Sequence, residues 1–198
     1  MVTSNVNVYG LDESIRGAKF PMSTDISKLN SELTPGIKAL AQSKQGEGHD
    51  NWLNGVIVQF DLTFTVKAWT EAQRYHFLDF VSSQSTMHRI TKFDLNQSYS
   101  EYTDKRIIEI MKEKVAEYNE MQASPDADAE VLKKKYLEIL YSNPCGFKLT
   151  ARMTTNYRQL KTIFKQRQFH RLPEWREFCA WIKTLPSSEL IIGESSHE

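Results

Sequence analysis

Residues 55–69, GVIVQFDLTFTVKAW, show the clearest strand pattern in the chain. Apolar side chains occupy every even position from 56 to 66, and the odd positions between them are largely polar. Successive side chains of a strand point to opposite faces, so this alternation predicts a strand with one core face and one polar face. Only the register that turns the even positions inward buries all six apolar residues, which are Val56, Val58, Phe60, Leu62, Phe64 and Val66.

Other segments have helical spacing. Residues 104–122 place Ile107, Ile108, Met111, Val115 and Tyr118 on one side of a long amphipathic helix, and the helix after it stops at Asn143-Pro144. We also predict helical spacing from Trp69 to Phe80, a short strand at VNVY (residues 6–9) and a turn or helix start at Thr34-Pro35-Gly36. Residues 156–178 read as two short helices.

The second of those helices is expected to begin at Pro173, because proline is favoured at the first helical position. Its buried face would carry Trp175, Phe178, Cys179 and Ile182. The first helix raises a question about Arg167. At about 100° per residue, Arg167 and Asn156 fall on one meridian of the helix, beside the apolar stripe that contains Leu160, Ile163 and Phe164. The pattern therefore predicts an inward arginine.

Burying a guanidinium without a partner costs several kcal/mol, on the order of the penalty for an unpaired buried ion. Either an anion or carbonyl partner meets Arg167, or its head group snorkels to solvent from the helix end. Arg158, Lys161 and Lys165 point the other way on the same helix and read as an ordinary solvated face.

Composition restricts the function classes. The chain has 198 residues with 40% hydrophobic content, which suits a single domain over residues 1–198. The 25 Lys and Arg balance 25 Asp and Glu, so no global field attracts nucleic acid or an anionic membrane. Any anion site must be local. Two cysteines and the lack of a leader or long apolar run favour a cytoplasmic, reducing setting.

The common catalytic motifs are missing from the sequence. It contains no P-loop, G-x-G-x-x-G, H-E-x-x-H or nucleophile elbow, which disfavours the enzyme classes that depend on these motifs. His49, His76, His88 and His170 lack the spacing of metal ligands, and we assign no metal.

Three stretches in order resemble the flavin-dependent thymidylate synthases. They are GHDNWLNGVIVQFDLTFTVK (48–67), EAQRYHFLDFVSSQSTMHR (71–89) and TTNYRQLKTIFKQRQFHRLPEW (154–175). The first is similar to the family's Gly-His segment, the second stands in the place of its Arg-His-Arg-x7-Ser signature, and the third is similar to its closing helix. The resemblance covers roughly residues 46–183. It implies an α/β (α+β) fold with an antiparallel or mixed sheet and long amphipathic helices.

The resemblance also implies roles for particular residues. Arg167 would bind and polarise the uracil ring, and Ser85 would be the signature serine; we assign these two as the catalytic pair. The cofactor-binding residues implied are His49, Asn54, His76 and Asn156. The substrate-binding residues implied are Arg74, Tyr75, Gln84, Ser85, Arg89 and Arg167.

The sequence departs from the family pattern at several of these positions. The triplet aligned with Arg-His-Arg is Tyr75-His76-Phe77, which keeps the histidine and loses both arginines, although Arg74 is adjacent. Met87 replaces an arginine, with Arg89 nearby, and Asn54 stands where a glutamate is usual. Fewer cations therefore face the phosphates of nucleotide and flavin, and ring stacking by Tyr75 or Trp52 would compensate in part.

Three functions stay open. The first is an enzyme that uses FAD, NADPH and methylenetetrahydrofolate to methylate dUMP or a related pyrimidine nucleotide, built as a homotetramer; all of this is implied by the resemblance. The second is a non-catalytic relative that binds a nucleotide or a partner on the same scaffold. The third is a nucleic-acid-binding module, which has basic and aromatic residues but no net positive charge or recognised motif.

Overall fold

The computed structural model describes residues 3–44 and 46–193. Its strands form one four-stranded sheet in the order β1-β2-β4-β3, in which β1 and β2 are antiparallel. The strands are β1 (Thr3–Tyr9), β2 (Ile57–Thr65), β3 (Asp79–Ser83) and β4 (Lys148–Asn156). The α-helices are α1 (Leu11–Ala18), α2 (Pro35–Ala41), α3 (Val66–Ala72), α4 (Thr86–Arg89), α5 (Lys105–Ala123), α6 (Ala129–Ser142), α7 (Tyr157–Arg167), α8 (Pro173–Ile182) and α9 (Glu189–Ile192). The α/β fold class predicted from the sequence is confirmed.

The chain divides into two compact units. The first contains the chain up to Leu62, Ala72–Ser82 and the chain from Ala151 onward; the second contains Thr63–Glu71 and Ser83–Thr150. The single domain over residues 1–198 stays a prediction. No helix in residues 3–44 and 46–193 is both long and apolar enough to span a membrane.

The core of the first unit confirms the register predicted for β2. Val58, Phe60 and Leu62 are fully buried. The Phe60 ring centroid lies 4.6 Å from that of Trp181 and 5.8 Å from that of Phe178, both contributed by the C-terminal part of the chain. The hydrophobic face of β2 therefore packs on α8 and the residues near its end.

The second unit has its own core under the pair of long helices. As predicted, Met111, Val115 and Tyr118 are buried on α5, whereas Ile107 is exposed and Ile108 is half-buried; Ile139 is buried on α6. They pack in one cluster with Ile90, Leu95, Tyr99 and Phe147. Asp104 caps α5, its carboxylate accepting a hydrogen bond from the backbone N–H of Arg106 at 2.9 Å.

Several helix boundaries follow the local sequence. Thr34 is the N-cap of α2, and its hydroxyl accepts a hydrogen bond from the backbone N–H of Ile37. Pro173 is the first residue of α8, as predicted, and the four apolar residues expected on its buried face are buried.

Other predictions were wrong. Helical spacing from Trp69 to Phe80 does not yield one helix, because α3 ends at Ala72 and the strand β3 begins at Asp79. All five residues of β3 are exposed, so no alternation in the sequence marks it. Val66, expected as the last core residue of the strand, begins α3 and is half-buried. The strand β4 had no prediction at all.

Candidate functional site

The first unit contains a cleft made of two adjoining cavities of about 260 and 310 Å³. Both are lined by Phe77, Gln159, Thr162 and Gln166, so we treat them as one cleft. The first cavity adds Asp50, Asn54, Asn156, Arg158, Lys161 and Lys165. The second adds Arg74, Tyr75, His76 and Arg167. Helix α7 and the turn before β3 thus form much of its wall.

Arg167 points inward, as the helical spacing predicted. Its residue is 8% exposed, and its Nε donates a hydrogen bond to the Tyr75 hydroxyl at 2.8 Å. The guanidinium carbon also lies 4.8 Å from the centroid of the Trp175 ring and 5.5 Å from that of Tyr75. Cation–π attraction to both rings favours the buried charge.

Asn156 joins strand β4 to helix α7. Its side-chain oxygen accepts a hydrogen bond from the backbone N–H of Gln159 at 2.8 Å, which makes it the N-cap of α7. The residue is buried and lines the first cavity of the cleft. The position assigned to cofactor binding therefore also has a structural task.

The prediction that Lys161 lies on a solvated face of α7 was wrong. The residue is 3% exposed, and its Nζ lies 2.8 Å from a carboxylate oxygen of Asp50. The same ammonium group donates to the backbone carbonyls of Ala41 and Ser43 at 2.6 and 3.0 Å. Its three donors thus have three acceptors, which removes most of the cost of burying the charge.

The Asp50 carboxylate binds two cations of α7. Its second oxygen accepts a hydrogen bond from Nε of Arg158 at 3.1 Å. Arg158 is only partly exposed, whereas Lys165 is exposed, as predicted. Among the residues that line the first cavity, three carry positive charge and one carries negative charge. The lining of this cavity therefore carries more positive than negative charge, in a chain whose net charge is zero.

The cleft brings together six of the residues assigned from the sequence. Four of them lie at the second cavity and two at the first: Arg74, Tyr75, His76 and Arg167, and Asn54 and Asn156. His49 is exposed beside Asp50 and is not among the described residues that line either cavity. Its role in cofactor binding stays a prediction.

The other assigned residues belong to the second unit. Gln84 extends the pairing of β3, since its N–H donates to the carbonyl of Thr150 and its side chain accepts from the N–H of Thr150. Ser85 is half-buried and is the N-cap residue of α4. Arg89 lines a larger cavity of about 580 Å³.

That cavity is basic and aromatic. Together with Arg89 it is lined by Lys92, Lys133 and His88, and none of its described lining residues is acidic. The Tyr118 and Tyr136 rings, 5.3 Å apart, contribute to its wall. Burial is the main reason that the pKa of Tyr136 is raised, so its hydroxyl stays protonated and donates to the carbonyl of Met87 at 3.1 Å.

Sequence reasoning missed Asp50, Arg158 and Lys161 as site residues. A partial signal existed, because Arg158 and Lys161 are three residues apart on one helix and thus lie on neighbouring positions of its surface. Their acidic partner lies more than 100 residues earlier in the chain, and no local pattern connects it to them. Lys92 and Lys133 were missed because they are 41 residues apart in the chain and no local pattern connects them.

Solved structures of other proteins have a similar fold. The chain is similar to the flavin-dependent thymidylate synthase ThyX of Helicobacter pylori complexed with FAD and dUMP, with a TM-score of 0.69 and 12% identity over 96% of each chain. It is also similar to the UMP/dUMP methylase PolB of Streptomyces cacaoi bound with 5-Br dUMP, with a TM-score of 0.58 and 14% identity over 94% of each chain. By sequence, no family model and no curated protein matches.

The chain thus has an α/β fold shared by enzymes that bind pyrimidine nucleotides. More particularly, it has the fold of the flavin-dependent thymidylate synthases, as the sequence resemblance implied.

Proposed function

We propose that this protein binds FAD and a pyrimidine nucleotide and methylates the nucleotide base in a thymidylate synthase-like reaction. The observation that carries the proposal is the buried Arg167 at the wall of the cleft, in the position where the resemblance expects an arginine that binds uracil. The similar solved structures hold FAD with dUMP, or 5-Br dUMP, on the same fold.

Arg167 would bind the nucleotide ring. A guanidinium offers donors in a planar fork, so its Nη nitrogens can bond a ring carbonyl while Nε is engaged by Tyr75. A fixed positive charge beside the carbonyl stabilises negative charge that develops on the ring when C5 becomes nucleophilic. Positioning and polarisation are then the main tasks of the protein, and Ser85 and His76 would assist by orienting the ligands.

The first cavity is proposed to hold part of the flavin cofactor. Arg158 and Lys165 would supply cations for its phosphates, and the amides of Asn54 and Asn156 would supply polar contacts. When bound, reduced FAD supplies the hydride of the reductive methylation, with NADPH as its reductant and methylenetetrahydrofolate as the one-carbon donor.

Arg89, which the resemblance assigns to the substrate, lines the basic cavity of the second unit together with Lys92 and Lys133, and their positive charge suits a ligand that carries a phosphate. We extend the proposal to a homotetramer, as the resemblance implies, and to a cytoplasmic setting, which the cysteine content favours.

A second candidate is a non-catalytic relative that binds a nucleotide on the same scaffold. One observation favours it: Tyr75-His76-Phe77 lacks both signature arginines, and Tyr75 is bonded to the very arginine that would hold the uracil. Such a protein would bind dUMP without flavin or turnover.

The deciding experiment records the absorbance spectrum of the purified protein and identifies any released small molecule by mass spectrometry. FAD is then added to a flavin-free sample, and binding is followed by quenching of flavin fluorescence. The enzyme proposal expects bound FAD whose affinity falls in Arg158→Gln but not in Lys134→Gln, an exposed site on α6. Binding of dUMP with no affinity for FAD would favour the non-catalytic candidate.

A further inference from the structure

The Tyr75 hydroxyl sits between two side chains of α7. It accepts the hydrogen bond from Arg167 Nε at 2.8 Å and donates its own proton to the side-chain oxygen of Gln166 at 2.9 Å. The hydroxyl therefore has a defined donor side and a defined acceptor side, which fixes the direction of its O–H bond.

The Tyr75 ring has separate contacts. It packs against Trp175 with a centroid distance of 5.8 Å and an interplanar angle of 66°, an edge-on arrangement. The guanidinium of Arg167 lies near both rings. Replacing Tyr75 by phenylalanine would keep this packing and remove only the hydroxyl, so the role of the hydroxyl can be tested alone.

The guanidinium group is planar, so a bond that holds Nε also sets the direction in which the two Nη nitrogens point. We infer that Tyr75 is a positioning residue for Arg167: its hydroxyl orients the guanidinium for the nucleotide. The ligand part rests on the proposed function, whereas the orientation of Arg167 does not.

The orientation is tested first, without any ligand. In ¹⁵N NMR spectra, the Arg167 Nε–H signal, assigned by its loss in Arg167→Lys, should be protected from solvent exchange and ordered in the wild type. Tyr75→Phe should make the signal exchange quickly or vanish, while Tyr141→Phe, at an exposed tyrosine, should not change it. An unchanged Arg167 signal in Tyr75→Phe would overturn the inference.

The consequence for binding is tested by calorimetric titration with dUMP. Tyr75→Phe should weaken binding roughly five- to thirtyfold at a temperature where the variant is folded, the scale of one hydrogen bond to a charged group. Tyr141→Phe should bind as the wild type does.

The two ideas fail in different ways. If the wild type binds no dUMP, the proposed function fails, and the NMR result still decides the orientation. If the wild type and Tyr75→Phe bind dUMP equally, the positioning role is contradicted while the nucleotide site stands. In the double variant Tyr75→Phe with Arg167→Lys, the two losses should not add, because the hydroxyl acts through the guanidinium.

Discussion

The carboxylate of Asp50 lies 2.8 Å from the ammonium group of Lys161, and both side chains are 4% exposed. This buried pair ties the segment that follows α2 to the middle of α7, and it holds one wall of the cleft. Asp50 also accepts a hydrogen bond from Nε of Arg158, its second partner on α7.

Lys161→Ala should destabilise the protein, because it leaves Asp50 buried with a single partner and two carbonyls without their donor. We expect a loss of about 3 kcal/mol or more in the free energy of unfolding, the range for breaking a buried ion pair. Urea denaturation measures it. Lys165→Ala, one turn further along α7 and exposed, should change the same free energy by less than about 0.5 kcal/mol. Equal stability of the two variants would refute the buried pair.

Phe60→Ala should be among the costly core substitutions. The ring is fully buried between Phe178 and Trp181, so its removal should cost about 3 to 5 kcal/mol. Gln59→Ala, on the opposite face of β2, should cost little. Chemical denaturation of both variants tests the register, since a strand shifted by one residue would reverse the two results.

Arg167→Lys should keep the fold and weaken pyrimidine-nucleotide binding. A lysine cannot copy the planar fork or the bond from Nε to Tyr75, so the loss should be about 1 to 3 kcal/mol of binding free energy. Calorimetry with dUMP measures it, and Arg171→Lys, an exposed loop residue, is the matched control. Lys161→Ala, the control suggested by the solvated-face prediction, is unsuitable because Lys161 is buried. Equal affinity of Arg167→Lys and wild type would leave Arg167 with a structural role only.

The two cysteines should differ in reactivity. Burial raises the pKa of the Cys179 thiol to about 11, whereas Cys145 is exposed. At pH 8 a thiol reagent should modify one group per native chain and two after denaturation. The pKa of the Cys179 thiol is higher in the folded protein than its ordinary value of 9.0 in the unfolded chain. Burial of the neutral thiol therefore contributes fully to folding stability below pH 9, and this contribution should be lost between about pH 9 and 11. Rapid modification of both thiols in the native protein would contradict its burial.

The sequence predicted the elements whose burial is regular. Phe60 and its neighbours on β2 alternate because one face of that strand is buried, and Met111, Val115 and Tyr118 repeat because one side of α5 is buried. The strand β4 was not predicted, because its inward residues include Ala151 and Thr155, which are small or polar and give no apolar alternation.

Within the candidate site, the burial of a charged residue was predicted only where helical spacing placed that residue on an apolar face. Arg167 stood out because a charge on an apolar stripe needs a partner, and the structure supplies Tyr75 and Trp175. The burial of Lys161 could not be predicted, because its partners come from the distant segment around Asp50 and helical spacing alone does not reveal them.

The proposed reaction is the methylation of a pyrimidine nucleotide at C5. Methylation replaces the hydrogen on that carbon, so dUMP labelled with tritium at C5 must release the label to water during turnover. With FAD, NADPH and methylenetetrahydrofolate present, we expect tritium release by the wild type and a strong decrease in Arg167→Lys. Protein that binds both FAD and dUMP yet releases no tritium, even with the flavin fully reduced, would contradict the proposed reaction.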